Sequence, residues 1–372
     1  MIDTWRNPLA LHRVNKKGEN MQIAIDKTCI KDLNKIKKHD LIYIFDDNEK
    51  LEDLLKLNLH CIHKSKISDV EVNASKYMLN AIKTVEIDDI SRIKLPKKKD
   101  YKFCIIIPNY NNDHGDIEGK TFLQKCIESV LNQTYKNFEI IIVDDMSTDT
   151  SVNTIEKYCN KYNGKITLIE NIRKRYNGGS RNVAIEIAEQ YRIFDYYCFL
   201  DSDDWYKDEN VLQRINDNLW DCELMLLGCE MIFPDGTKQT KINEYDNYKD
   251  FFICDNKTWC TAWSRVIRKD KIVYFPESCI MEDRSWSYEQ ADNICFENIR
   301  NLKQPLYIWN RMNTTNSVSI VRDKVWEASA WKHIGEQKML LTRLKHKEMI
   351  PIIEERIKHC EELIRNGIYQ QY

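Results

Sequence analysis

The sequence predicts an α/β fold in which a doubly wound, mostly parallel sheet carries helices on its faces. Continuous apolar runs such as "CIIIP" (104–108) and "EIIIV" (139–143) are typical of strands covered on both sides. Segments with apolar residues at helical spacing alternate with these runs, as in repeated βα units. Polar and acidic residues follow the runs directly, at the edge where such sheets bind ligands.

The first βα unit begins with "KFCIIIP" at 102–108, which predicts a strand. A helix is predicted after it, because apolar residues recur at helical spacing and form one face. The residues of that face are Phe122, Leu123, Cys126, Ile127, Val130 and Leu131.

The second and third strands are predicted at "FEIIIVDD" (138–145) and "KITLIEN" (165–171). Between them, "STDTS" (147–151) supplies side chains that commonly cap the start of a helix. Strand, helix and strand in this order form the unit from which parallel sheets are built.

The fourth strand is predicted at "YYCFL" (196–200), after a helix that follows the "NGGS" turn (177–180). Val183, Ile187 and Tyr191 lie in line on that helix, so they are its expected buried stripe. This strand completes the parallel part of the predicted sheet.

The remainder of the chain is predicted to add a strand and C-terminal helices. "ELMLLGCEMIF" (223–233) is the strand, and it runs into a turn at "PDG" (234–236). We expect the apolar face of the last helix to pack on the body of the protein, with docking to a partner or membrane surface as the alternative. That face carries Ile353, Ile357, Cys360 and Ile364.

Length and composition indicate more than one domain, since the chain has 372 residues. The stretch 94–100 is lysine-rich, contains Pro96 and is predicted to be a linker. The predicted domains are a small α/β unit at 1–95, the main α/β domain at 96–320 with halves at 101–205 and 206–320, and C-terminal helices at 321–372.

Composition also bounds the function. A formal net charge of −2 argues against a protein that mainly grips duplex DNA. The 13 cysteines are scattered, which suits buried thiols in a reducing compartment. The cluster "HCIH" (60–63) lacks a second ligand pair at zinc-like spacing, so it is predicted to be a strand end. Without a signal peptide or a run of membrane-spanning length, the chain is expected in the cytoplasm, with peripheral membrane contact left open.

All four predicted strands end in polar segments. Because the carboxyl ends of parallel strands share one edge of a sheet, these segments should converge and form a site. They are "PNYNN" (108–112), "DDMSTD" (144–149), "NGGSRN" (177–182) and "DSDD" (201–204).

The "DSDD" segment suggests a metal site. Asp201 and Asp203 alternate with Ser202, so on an extended backbone both carboxylates point to one side. Two such carboxylates suit Mg²⁺ or Mn²⁺, which would keep part of its shell for substrate phosphates. The alternative is that Asp203 or Asp204 caps the next helix.

The other strand ends suggest contacts with a nucleotide. Asp144 or Asp145 could accept from a nucleobase N–H or a ribose hydroxyl, and helix capping is the alternative. The glycines of "NGGSRN" allow the backbone to approach a ligand closely. Arg181 is predicted in the first turn of a helix, where a guanidinium and backbone N–H groups can hold phosphate.

Taken in order, the motifs resemble those of a family 2 glycosyltransferase with the GT-A fold. The resemblance is carried by "CIIIPNYNN", "FLQKCIESVLNQTYKNFEIIIVDDMSTDTS", "GGSRNVAIE" and "CFLDSDDW", and continues in "TAWSRVIRKDKIVYFPESCIMEDRSW". It covers roughly 102–320 and leaves out 1–95 and the C-terminal helices. It implies inverting transfer of a sugar from a nucleotide donor, preferably a UDP-sugar, with a donor half at 101–205 and an acceptor half at 206–320.

The resemblance also implies residue roles, which involve a divalent cation (Mn²⁺ or Mg²⁺) on the diphosphate and a carboxylate that takes the acceptor's proton. Asp283 matches the general base, although a salt bridge to Arg284 or Lys271 is the alternative. The implied donor contacts are Pro108, Tyr110, Asp145, Arg181 and Asp201, the metal ligands Asp203 and Asp201, and the acceptor-side residues Glu282, Trp286 and Arg311.

Two departures from the family pattern are visible. The connection "DHGDIEGK" (113–120) is longer than usual and is predicted to form a lid or an acceptor contact at the donor edge. The family's late Tyr-x-Tyr-Arg segment is replaced by one with Trp309 and Asn310 at its last two places, followed by Arg311.

Two other functions compete with this interpretation. A nucleotidyltransferase on a similar sheet would carry a glycine-rich, basic loop after the first strand, and this chain has "NYNNDHGD" there. A non-catalytic binding module need keep neither the "DSDD" nor the "ED" pair. The expected acceptor is a glycan, a lipid-linked sugar or a protein rather than nucleic acid, and self-association is left open.

Overall fold

The computed structural model describes residues 43–45, 61–63, 99–191, 193–244, 261–277, 282–313 and 324–366. Most of the α/β unit predicted at 1–95 lies outside these residues, as does the linker predicted at 94–100 except for Lys99 and Asp100. Two short strands, β1 (Tyr43–Phe45) and β2 (Cys61–His63), pair in parallel, so "HCIH" does contain a strand. The chain divides into two compact units, one made of Met1–Lys99 and Phe296–Arg300 and the other of Asp100–Cys295 and Asn301–Tyr372.

The parallel part of the large sheet confirms the predicted βα units. Its four strands lie in the order β5-β4-β3-β6, so β3 is central and all seven of its residues are buried. Neighbours pair in parallel throughout this part. The strands are β3 (Phe103–Asn109), β4 (Phe138–Asp144), β5 (Ile166–Glu170) and β6 (Tyr196–Phe199).

Antiparallel strands extend the sheet beyond β6, in the order β10-β8-β11-β7, with β9 paired to β8. The predicted turn at 234–236 joins β8 to β9, and Gly236 adopts a positive φ of 79° there. The strands are β7 (Trp205–Tyr206), β8 (Leu224–Ile232), β9 (Lys238–Lys241), β10 (Arg265–Arg268) and β11 (Ile299–Asn310).

Seven α-helices are present in the described part of the chain. The first begins with a capping box, in which Thr121 accepts from the Gln124 backbone and the Gln124 side chain accepts in return. Its predicted face is buried except for Leu131, which is half-buried. The helices are α1 (Phe122–Leu131), α2 (Ser151–Lys161), α3 (Tyr176–Tyr191), α4 (Val211–Leu219), α5 (Glu282–Asp292), α6 (Lys324–Arg343) and α7 (Ile350–Arg365).

Helix α3 corrects the sequence prediction. It starts at Tyr176, before the glycines, and its predicted stripe is on the wrong face, since Tyr191 is 69% exposed. The buried face instead contains Arg181 and Asn182 together with small and aliphatic residues. Because polar side chains belong to the buried face, apolar spacing alone pointed to the opposite side of the helix.

The apolar face of α7 is buried as predicted, with Ile353 and Cys360 fully covered, and α7 packs on α6. Among the residues that the structure describes, no helix has the length and apolarity needed to cross a bilayer.

Candidate functional site

The polar strand ends meet at one edge of the sheet, as predicted. At the end of β3, the amide of Asn109 donates to Asp144 Oδ1 at 2.7 Å, which joins the first segment to the second. Asn112 Nδ2 donates to Ser202 Oγ at 2.7 Å, which joins the first segment to the "DSDD" segment. These direct side-chain bonds fix the relative positions of three chain segments that lie far apart in sequence.

Arg181 is the centre of an acidic cluster. Its guanidinium Nη2 lies 2.7 Å from Asp201 Oδ1, and Nη1 lies 3.0 Å from both Glu282 Oε1 and Asp283 Oδ1. The side chain is 1% exposed. Three carboxylates therefore share one buried cation, and the guanidinium that was predicted to face the donor phosphate is already engaged by the protein.

Glycines of α3 make this arrangement sterically possible. A Cβ atom on Gly178 would lie 2.4 Å from the carbonyl oxygen of Pro276 and 3.2 Å from the side chain of Glu282. A backbone carbonyl cannot yield as a flexible side chain can, so a larger residue would push α3 away from its neighbours. The close approach predicted for this turn is thus made to the protein's own chain.

The excess of negative charge shows in the carboxyl pKa values. Burial, followed by repulsion from Asp283, raises the pKa of Glu282 to about 8, against the opposing effect of Arg181. Burial also raises the pKa of Asp283, again opposed by Arg181. Both groups therefore hold protons more tightly in the folded protein than in the unfolded chain.

This shift predicts how stability varies with pH. Between the unfolded pKa of a glutamate, about 4.3, and the folded value of about 8, the folded state binds the extra proton, so stability falls as pH rises. The slope contributed by this one group is roughly 1.4 kcal/mol per pH unit. Glu282→Gln is expected to flatten the profile, measured by urea unfolding at about pH 5 and about pH 8.

A matched control is Glu230→Gln on β8. The Glu230 carboxylate pairs with Lys207 and Lys238, each at 3.1 Å, and both lysines are exposed to solvent. It should leave the wild-type slope in place. Equal losses of stability over this pH range in the wild type and Glu282→Gln would show that Glu282 does not retain a proton.

The "DSDD" segment is a turn and not the extended stretch that was predicted. The backbone N–H of Asp204 donates to the carbonyl of Asp201 at 3.0 Å. Asp204 is buried, and its two oxygens accept from Tyr307 Oη and the Asn310 N–H of β11, each at 2.7 Å. The helix-capping alternative is wrong for these acids, because α4 begins only at Val211.

Asp203 and Asp201 fit a cation that also binds a ligand. Burial and then repulsion from Asp201 raise the pKa of Asp203 to about 6, so an added positive charge would relieve both effects. No group of three or more His, Cys, Asp or Glu residues within the described ranges is arranged to hold a metal alone. A Mg²⁺ or Mn²⁺ ion here would take its remaining ligands from water and phosphate oxygens.

Asp145 caps the start of α3. Its Oδ1 accepts from the backbone N–H of Arg175 and its Oδ2 from that of Tyr176, both at 2.8 Å. Asn171 Nδ2 donates to Oδ1 at 2.9 Å as well. The capping alternative is therefore present in the structure, and a role for Asp145 at a nucleobase stays a prediction.

Lys174 is a residue that the sequence reasoning missed. Its Nζ lies 3.4 Å from Asp145 Oδ2 and 2.8 Å from the centre of the Tyr110 ring, and burial lowers its pKa. Tyr110 is 39% exposed, whereas Pro108 is buried within β3, so Tyr110 offers the accessible surface. The signal was the basic run "RKR" (173–175), which begins three residues after the end of β5.

Trp286 and Arg311 were predicted to lie on the acceptor side, and their surroundings differ from that prediction. Trp286 is fully buried and stacks on Phe275 with ring centres 4.2 Å apart, and its N–H donates to the carbonyl of Val273 at 2.9 Å. The role predicted for it needs an exposed ring, which the structure does not provide. The Arg311 guanidinium lies 4.8 Å from the centre of the Trp309 ring.

A known protein family matches this part of the chain. The model of "Glycosyl transferase family 2" matches residues 104–272. A poly(ribitol-phosphate) beta-glucosyltransferase of Bacillus spizizenii is 34% identical over 117 residues, which are 31% of this chain and 17% of that protein. The amylovoran biosynthesis glycosyltransferase AmsB of Erwinia amylovora is 37% identical over 113 residues, which are 30% of this chain and 34% of that protein.

Among solved structures, residues 1–349 of S. aureus TarS in complex with UDP-GlcNAc align with a TM-score of 0.47 at 20% identity. That alignment covers 65% of this chain and 71% of the TarS chain. The chain spans no more than about a third of the length of the two curated relatives above.

Proposed function

We propose, on the premise that residues 104–272 form a family 2 glycosyl transferase domain, that this chain transfers a sugar from a nucleotide-diphosphate donor to an acceptor hydroxyl. The observation that carries the proposal is the division of carboxylates around Arg181. Asp201 lies at one nitrogen of the guanidinium, and Asp283 lies at the other. One end of this cluster can serve the leaving diphosphate while the other serves the acceptor.

On the donor side, Asp201 and Asp203 would hold a divalent cation at the sheet edge. When bound, that cation supplies positive charge against the charge that develops on the leaving diphosphate. Tyr110 provides an exposed aromatic face beside Lys174, where a nucleobase could stack. A UDP-sugar, the donor that the family resemblance favours, would place its uracil against this face.

On the acceptor side, Asp283 is the proposed general base. As the acceptor oxygen attacks the anomeric carbon and the bond from that carbon to the diphosphate breaks, the acceptor proton passes to Asp283. Burial raises the pKa of Asp283, which makes its carboxylate a stronger base, and its side chain remains 23% exposed. Attack from the face opposite the leaving group inverts the anomeric configuration.

Arg181 would position these groups rather than contact the donor. It holds Asp283 by one nitrogen and Asp201 by the other, so that both orientations depend on one buried side chain. The name of the Bacillus spizizenii relative favours a hydroxyl of a poly(ribitol-phosphate) or a similar glycan as the acceptor.

The direct test is a thermal-shift screen of UDP-, GDP-, dTDP- and CMP-linked sugars with Mn²⁺, followed by an assay of transfer and donor hydrolysis. A bound donor raises the melting temperature by mass action. If no donor binds and none is turned over, the proposal is rejected. Release of pyrophosphate from a sugar phosphate and a nucleoside triphosphate would instead indicate a nucleotidyltransferase.

Asp203→Ala is expected to abolish the metal-dependent part of nucleotide binding, because it removes a proposed cation ligand. Isothermal titration of UDP with Mn²⁺ and with EDTA measures this part as the difference between the two affinities. Asp235→Ala in the exposed β8–β9 turn is the control and should retain the difference. An unchanged difference in Asp203→Ala would remove Asp203 from the metal site.

A further inference from the structure

Asn313 joins three parts of the proposed site. Its Nδ2 donates to Asp203 Oδ2 at 2.7 Å and to Asn112 Oδ1 at 3.2 Å. Its Oδ1 lies 3.3 Å from His114 Nε2. Asn313 is 2% exposed, so these contacts are shielded from water and the amide is held in a single place.

His114 belongs to the long connection at 113–120, which is anchored to the start of α2. Asp113, at its start, accepts from the hydroxyls of Thr150 and Thr154 at 2.6 and 2.7 Å. The ring of His114 then packs edge-on against Phe122, with ring centres 5.3 Å apart. The connection is thus fixed at its base and presents its imidazole to Asn313.

An amide suits position 313 for a physical reason. Asp203 Oδ2 and Asn112 Oδ1 both need a hydrogen-bond donor, and His114 Nε2 faces an oxygen at position 313. An amide supplies both the N–H donors and that oxygen. A carboxylate would repel Asp203, and an apolar residue would leave the half-buried Asp203 carboxylate without its donor. With Oδ2 held by Asn313, the other oxygen of Asp203 is the one that a cation can approach.

We propose that Asn313, supported by His114, is a positioning residue that orients the Asp203 carboxylate for the divalent cation and couples the 113–120 connection to that site. This inference rests on the proposed function. It assigns the long connection a role in donor binding through Asp203, in place of the lid or acceptor contact that the sequence suggested. Groups that orient a metal ligand commonly change metal affinity about 10- to 100-fold when they are replaced.

The test compares Asn313→Leu and His114→Phe with the wild-type protein. Leucine keeps the approximate size of asparagine, and phenylalanine keeps the ring that packs on Phe122. UDP affinity is measured by isothermal titration with Mn²⁺ and with EDTA, and Mn²⁺ uptake is measured by electron paramagnetic resonance. We expect Asn313→Leu to weaken Mn²⁺-dependent UDP binding by about 10-fold or more and His114→Phe to weaken it by less.

Binding in EDTA should change little in either variant, which separates positioning from a general loss of structure. The control for Asn313 is Asn218→Leu on α4, which lies outside the site. It removes the hydrogen bond that Asn218 Nδ2 donates to the carbonyl of Arg214 at 2.7 Å. His359→Phe, on an exposed face of α7, is the control for His114. Both controls should match the wild type.

The results for the two variants decide whether Asn313 and His114 position Asp203. An unchanged Mn²⁺-dependent increment in both variants overturns the inference, as does an equal loss of affinity with Mn²⁺ and with EDTA. If Asn313→Leu does not fold, His114→Phe alone carries the test, and wild-type behaviour of that variant overturns the coupling. A wild-type protein that binds neither UDP nor Mn²⁺ rejects the proposed function itself and this inference with it.

Discussion

Asp283→Asn is expected to lower turnover by about 10²- to 10⁴-fold while nucleotide binding stays at the wild-type level. Asparagine has nearly the shape of aspartate, and its Oδ1 can still accept from Arg181, now 3.0 Å from the carboxylate. It cannot take up the acceptor's proton. The loss should therefore appear in kcat, measured as UDP release with saturating donor and acceptor, and not in the donor Kd.

Asp270→Asn is the matched control, because Asp270 lies in an exposed pair with Arg268 at 2.6 Å. It should retain full turnover. If Asp283→Asn keeps wild-type turnover, Asp283 is not the base. If it loses donor binding as strongly as turnover, its part in the acidic cluster matters more than proton transfer.

Arg181→Met is expected to destabilise the protein by about 3–5 kcal/mol, because it leaves the buried Glu282 and the half-buried Asp201 and Asp283 without their shared cation. Methionine replaces the long side chain with an apolar one that can fill much of the space but cannot neutralise charge. The effect is measured by urea unfolding near pH 7. Arg214→Met, which breaks a half-exposed pair with Asp208, is the control and should cost about 1 kcal/mol or less.

The pH dependence of Arg181→Met gives a second check. Without the guanidinium, the folded-state pKa values of Glu282 and Asp283 rise further above those of the unfolded chain. Stability that depends on bound protons is present at low pH and is lost as pH rises through the folded values. The deficit relative to the wild type should grow as pH rises above about 8, where Glu282 loses its proton in the wild type but retains it in the variant, and a constant deficit between about pH 7 and about pH 9 would contradict this account.

The parallel strands were predictable because each is specified locally. An uninterrupted apolar run needs only a neighbouring strand and two covering layers, and "CIIIP" and "EIIIV" became paired, buried strands. The chain order of parallel units then fixes which strand ends share an edge. For that reason the meeting of Asn109 with Asp144 and of Asn112 with Ser202 was within reach of the sequence.

Helix α3 and the "DSDD" segment show where local patterns fail. The buried face of α3 includes Arg181, whose burial depends on acids from β6 and α5, so apolar periodicity selected the wrong stripe. The acids of "DSDD" were predicted from an extended backbone, but Asp204 turns back to bond with β11. In both cases a long-range polar contact outweighs the local preference.

The sequence by itself determined the parallel part of the sheet, the edge at which its polar strand ends meet and the residue types gathered there, because strand formation and the order of parallel units follow from nearby residues. Only the tertiary structure decided which partner each acid contacts. Asp201 and Asp283 pair with Arg181, Asp203 accepts from Asn313, and Asp204 accepts from Tyr307 of β11. These partners lie as far as 110 positions apart, and hydrogen bonds act over about 3 Å, so chain folding alone selects among them.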